Sequence, residues 1–181
     1  TIVKFALFQT LGGPYLFFHR LDSASRMEDG PRRTALFESH VSAGAKMIDF
    51  HGFELPIWYS SIQEEHLDTR GSAGLFDVSH MGFFRFQGED VRSWLSYVST
   101  QEYMKFQPGR CGYCHFLDHS GHIIDDMIFA VSSESEVLGV PNSTMVGIVF
   151  DWLSKLLPQD ESISIEDLSE ETSIIAIQGP K

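Results

Sequence analysis

Apolar and polar positions change period several times along the chain, and each period predicts an element. Residues 34–44, TALFESHVSAG, have helical spacing, with Thr34 placed to cap and Gly44 to stop. The next stretch, MIDFHGFELPIWYSS, is broken by Gly52 and Pro56 and predicts an irregular or extended connection. Ser61-Ile62-Gln63-Glu64 is a capping box, and it opens a helix running to about Arg70 with Gly71 and Gly74 as its end. From Gly82 onward, GFFRFQG alternates and predicts a strand. Residues 89–98 return to helical spacing, which puts Val91, Trp94, Leu95 and Val98 on one face. Two apolar runs, RCGYCHFLD and HIIDDMIFAV, flank the polar turn Asp118-His119-Ser120-Gly121 and predict a hairpin. A short strand at 137–140, a helix at 142–157 closed by Pro158, and strands in SISIEDL and SIIAIQG complete the pattern. Helices and strands alternate irregularly, so the predicted class is α+β, with mixed antiparallel sheets and helices.

One apolar run carries an anomaly. In GHIIDDMIF, Asp125 and Asp126 interrupt a buried-strand pattern. Alternation puts Ile124, Asp126 and Ile128 on one face and Ile123, Asp125, Met127 and Phe129 on the other. Whichever face meets the core, a carboxylate sits among apolar neighbours, where an unpartnered charge is costly. Two adjacent acids one hairpin away from Tyr113 point to a pocket rather than to a lone structural aspartate.

Composition narrows the partners. The chain has 181 residues, 43% of them hydrophobic, which is enough for a real core. No apolar run approaches the ~20 residues of a membrane helix, so no membrane association is expected. A net charge of −12 argues against a nucleic-acid partner. Two cysteines, Cys111 and Cys114, are too few for a disulfide scaffold, so a reducing, cytoplasmic setting is expected. They belong to CGYCH, which has the spacing of a haem-attachment motif. With His115, His119 and His122 nearby, it also offers zinc ligands. On a strand, however, Cys111 and Cys114 face opposite ways, so small packing residues are the better reading and no metal is expected. Residues 1–31 are expected to form an extension of unclear structure; the first 33 residues are aromatic-rich and carry a net charge of +2, against −14 for the remainder. The chain ends in IQGPK, one turn after a strand, which predicts a truncated form.

Longer stretches carry a resemblance. GAKMIDFHGFELP, YSSIQEEH, AGLFDVSHMG, PGRCGYCHFLDHSGHIIDDMIF and IAIQGPK, in that order, resemble the start of the glycine cleavage system T-protein family, the tetrahydrofolate-dependent aminomethyltransferases. The resemblance runs from about Arg32 to Lys181. It implies a folate-binding aminomethyltransferase-type fold. Residues 32–84 would open the first, folate-binding domain, 85–167 would form the second, and 168–181 would begin a return to the first. It implies transfer of a one-carbon unit from an aminomethyl-lipoyl H-protein to tetrahydrofolate, giving 5,10-methylenetetrahydrofolate and ammonia. The implied partners are the lipoylated H-protein and tetrahydrofolate as co-substrate. A monomer is implied, with the mitochondrial matrix as the compartment in a eukaryote. Asp126 takes the catalytic position beside the reacting nitrogens. Met81, Tyr113 and Asn142 match family positions that line the folate pocket, and Ile128, on the strand face of Asp126, is expected to line it too. The pattern departs from the family at His122, where a second glycine is usual, and at Ser143-Thr144-Met145, where a second asparagine is lost. Another folate-dependent member of the family, or a non-catalytic folate-binding module, is the alternative reading.

Overall fold

The computed structural model describes residues 30–181 and, as backbone, two strands before them, β1 (Ala6–Gln9) and β2 (Tyr15–His19). The expectation of an N-terminal extension over 1–31 falls almost wholly outside the described residues. Those residues fall into two compact units, 30–80 with Glu170–Lys181, and Met81–Ser169.

In the first unit, β3 (Arg32–Arg33), β4 (Lys46–Phe50) and β5 (Phe53–Trp58) form a small sheet, with α1 (Phe37–Ser42) between β3 and β4. The stretch expected to be an irregular connection is therefore a hairpin. His51 (φ 53°) and Gly52 (φ 82°) form a two-residue turn with both φ positive, the geometry that closes a twisted hairpin. Pro56 argues against a strand, yet among the described residues β3 pairs only with Phe53 and Glu54. Beyond them no described residue pairs with that edge of β5, and a residue lacking an N–H is tolerated there. The first helix is also shorter than expected, and Thr34 does not cap it. The Thr34 hydroxyl instead donates to Asp77 Oδ2 at 2.6 Å. The capping box does form: Glu64 N–H donates to Ser61 Oγ at 3.2 Å and opens α2 (Ile62–Gly71). A short strand, β6 (Gly74–Asp77), follows.

The second unit holds the larger sheet. Its elements are β7 (Phe84–Gln87), α3 (Val91–Val98), β8 (Cys111–Leu117), β9 (Ile123–Ser133), β10 (Glu136–Pro141), α4 (Val146–Ser154) and β11 (Ser164–Asp167). The strands are ordered β11-β7-β10-β9-β8, and every pairing is antiparallel. The expected helix at 142–157 is a 3₁₀ turn over Ser143–Met145 that leads into the shorter α4. The core lies on one face of this sheet. Phe84, Phe86, Cys114, Phe116, Met127, Phe129 and Val137 pack there against Val91 and Leu95 of α3 and Val149 and Leu153 of α4. Alternation along each strand sends these residues inward together, which is why the apolar runs read so strongly as strands. Behind β8, Arg92 of α3 donates to the carbonyls of Tyr103, Met104 and Phe106 and pairs with Glu134. A buried cation thereby pins the 103–106 turn. After this unit the chain continues into β12 (Ser173–Gln178), which pairs with β2 and β6. Mixed helix and antiparallel sheet bear out the α+β class.

Candidate functional site

The hairpin β8–β9 decides what happens to the two acids. Its turn is closed by the Asp118 carboxylate, which accepts from the N–H groups of Ser120 at 2.8 Å and His122 at 2.9 Å. The resulting register sets Tyr113 opposite Ile128, His115 opposite Asp126 and Phe116 opposite Asp125. Opposed residues of an antiparallel pair share a face. Asp125 thus joins Phe116, Cys114 and Met127 on the core side, while Asp126 joins Tyr113, His115 and Ile128 on the other.

Asp125 is 7% exposed, and its charge is met by Asn142. The Asn142 side-chain amide donates to Asp125 Oδ1 at 2.8 Å, and its backbone N–H lies 3.4 Å from Oδ2. The same amide lies 3.3 Å from the Asp126 carbonyl. Asn142 does not cap the following helix with its side chain. It holds two consecutive residues of β9 in place from the core side and does not share the Tyr113–Asp126 face.

Asp126 is half-buried, and the Tyr113 hydroxyl donates to its Oδ2. That bond pushes the Tyr113 phenol up to about 12, helped by partial burial and by the charges of Asp126 and Asp125. The phenol is therefore a persistent donor, and it fixes one oxygen of the carboxylate. The His115 ring meets the Tyr113 ring edge-on, 5.3 Å between centroids. Ile128, half-buried, is the next residue of β9 on this face. Acid, phenol, imidazole and aliphatic side chain thus stand side by side on an accessible strand surface. In the sequence His115 drew attention only as a possible metal ligand. Its i+2 spacing from Tyr113 was the signal that would have put it here.

Met81 is half-buried at the end of this sheet. It precedes Gly82, whose N–H donates to the Pro141 carbonyl at 3.0 Å. A Cβ at Gly82 would lie 2.6 Å from Val146 Cγ2 and 2.7 Å from Pro141 Cγ, so only glycine lets the chain pass this close. Pro141 in turn pairs with Met127. Met81 therefore sits about two strand spacings, roughly 10 Å, from the strand of Asp126.

CGYCH divides as alternation requires. Both cysteines are free and buried. Burial pushes each thiol up to about 11, far from the reactive thiolate range. Tyr103 Oη donates to Cys114 Sγ at 3.1 Å inside the core. Among the described residues no three His, Cys, Asp or Glu side chains converge to hold a metal ion, and no helix is long and apolar enough to cross a membrane.

Comparison with known proteins gives the family. The family profile described as the GCVT N-terminal domain matches residues 36–181. The chain is 39% identical over 150 residues to an aminomethyltransferase of Thermotoga maritima, a match covering 83% of this chain and 41% of that protein. It is 42% identical over 151 residues to an aminomethyltransferase of Chlorobaculum tepidum, with the same coverage of 83% and 41%. The crystal structure of the glycine cleavage system aminomethyltransferase T from Bartonella henselae superposes with a TM-score of 0.74 at 31% identity, covering 82% of this chain and 41% of that one. The chain thus spans about two fifths of the length of the relatives it matches. With most of its length matched in sequence and in fold, the chain belongs to the aminomethyltransferase family defined by the GCVT N-terminal domain.

Proposed function

We propose that this chain carries the folate-handling carboxylate of a glycine cleavage aminomethyltransferase. In that reaction a one-carbon unit passes from the aminomethyl-lipoyl group of an H-protein to tetrahydrofolate, giving 5,10-methylenetetrahydrofolate and ammonia. The observation that carries the reading is the division of labour in the acid pair. Asp125 is tied down on the core side, and Asp126 is presented on the other face with one oxygen fixed by Tyr113.

This geometry suits a flat ring bearing N–H groups. The free oxygen of Asp126 can accept from a folate amine and hold it in line for attack. The fixed negative charge stabilises the iminium-like cation that develops as the carbon–sulfur or carbon–nitrogen bond breaks. Tyr113 and Ile128, directly opposed across the hairpin, supply a ring face and an aliphatic wall beside the carboxylate, and Met81 adds apolar surface nearby. Asn142 acts through Asp125 and the Asp126 carbonyl, as a positioning residue.

The test is tetrahydrofolate-dependent ammonia release from aminomethylated H-protein, using the polypeptide as its gene encodes it. Tetrahydrofolate binding to this chain by calorimetry accompanies it. Asp126→Asn should lower transfer by about 10²–10³-fold, the loss typical of removing one preorganised electrostatic group. Asp125→Asn should act mainly on folding stability. Equal transfer by the wild type and Asp126→Asn overturns the assignment.

A further inference from the structure

The first unit contains a second polar constellation that the one-carbon reading neither uses nor supports. The Asp77 carboxylate is fully buried and collects four hydrogen bonds. They come from Thr34 Oγ1 at 2.6 Å, His40 Nε2 at 2.9 Å, and the Ser79 N–H and hydroxyl at 3.0 and 2.5 Å. Burial alone would raise the Asp77 carboxyl. The bonds from His40, Ser79 and Thr34 outweigh it and hold the carboxyl below its ordinary value, so Asp77 is an anion and can only accept. His40 Nε2 must therefore carry a proton. In the neutral imidazole, Nδ1 is then the acceptor, and Tyr59 Oη lies 2.7 Å from it. Carboxylate, imidazole and phenol form one line, and with a neutral imidazole the phenol proton points inward to His40.

Tyr59 is the outer end of this line. It lines a cavity of about 470 Å³ between β5, α2 and β6. Ile57, Ile62, Leu75 and Phe76 also line it. These side chains are all at least 40% exposed, so the cavity is open to solvent. Glu65 lies beside Tyr59 in the same wall. Its Oε1 accepts from the Tyr59 and Ser60 N–H groups at 2.6 and 2.7 Å, so the carboxylate is fixed in position. Asp68 adds a further negative charge, His66 contributes an imidazole, and among the described residues neither Lys nor Arg lines the cavity. Burial, then the charges of Asp77 and Glu65, keep the Tyr59 phenol protonated.

We propose that this cavity binds a primary alkylammonium group. Apolar walls take the stem, and the Tyr59 oxygen and the Glu65 carboxylate accept from the ammonium. The Asp77–His40 pair sets the polarity of the site. By holding the phenol proton inward it leaves the Tyr59 oxygen with only lone pairs to offer. An alcohol or a carboxylate of the same length would fill the walls and lack the charge that Glu65 meets.

The experiment is a titration of the isotope-labelled chain with n-hexylammonium, 1-hexanol and hexanoate, followed by amide chemical shifts. Saturable shifts in residues 57–76 are expected with n-hexylammonium at millimolar concentration, with hexanol and hexanoate about tenfold weaker or absent. Glu65→Gln keeps an acceptor for the two backbone N–H groups and should weaken n-hexylammonium binding about tenfold. Tyr59→Phe should do the same. If it fails to fold, as judged by its own amide spectrum, Glu65→Gln decides. Equal binding of hexanol and n-hexylammonium overturns the proposal, as does no saturable shift at these residues, or an unchanged affinity in Glu65→Gln.

Discussion

Replacing Asn142 with alanine isolates what keeps a carboxylate in the core. The substitution removes the 2.8 Å amide bond to Asp125 Oδ1 and the 3.3 Å contact with the Asp126 carbonyl. The Asn142 backbone N–H, 3.4 Å from Oδ2, survives as a long and weak donor. Asp125 is 7% exposed, so water cannot fully replace the lost partner. A hydrogen bond to a charged group contributes about 1.5–3 kcal/mol, and a buried acceptor left unsatisfied adds its desolvation. A loss of about 2 kcal/mol is therefore expected, which at a typical slope lowers the urea midpoint by roughly 1 M. Trp94 and Trp152 both belong to the second unit and pack in or against its core, so tryptophan fluorescence follows its unfolding. The decisive measurement is the cycle with Asp125→Ala. The coupling between the two positions should be on the order of 1.5 kcal/mol or more. A coupling below about 0.5 kcal/mol would refute the claim that Asn142 is what makes Asp125 tolerable.

The titrating groups supply two further expected outcomes. Tyr113, held up to about 12 by Asp126, should ionise late in an ultraviolet titration, and in Asp126→Asn one tyrosine should move back toward the ordinary value of about 10. Identical alkaline titrations of the two proteins would contradict the hydrogen bond. Asp77, whose folded carboxyl lies below its unfolded value, contributes stability that is present above the unfolded value of about 3.8 and is lost as pH falls through the folded one. Trp58 reports the first unit. The acid-side fall of its urea midpoint should be shallower in Asp77→Asn, and an unchanged slope would remove Asp77 from the acid response.

Local patterns carried much of this fold and some of the site. The capping box at Ser61 and Glu64, the stripe of Val91, Trp94 and Leu95, and the hairpin around Asp118 all form as their spacing requires. Each rests on residues within a turn or two of one another. The 46–58 hairpin was hidden behind Pro56, because whether a missing N–H matters depends on which neighbouring strand reaches it. Thr34 and Asn142 both have the spacing of helix caps. Both instead spend their side chains on carboxylates 43 and 17 residues away. A short polar side chain next to a helix has two competing uses, and sequence spacing sees only the nearer one.

The acid pair shows the same division. The sequence by itself determined that Asp125 and Asp126 must face opposite ways, since strand alternation is a property of the backbone alone. It also supplied the family, through motifs that survive in order. Only the tertiary structure decided which face met the core. That depends on where α3 and α4 pack, and on Asn142 arriving to pair with Asp125 and Tyr113 with Asp126. The line from Asp77 through His40 to Tyr59 had no local signature at all. Its three members lie 37 and 19 residues apart, and nothing but folding makes them neighbours.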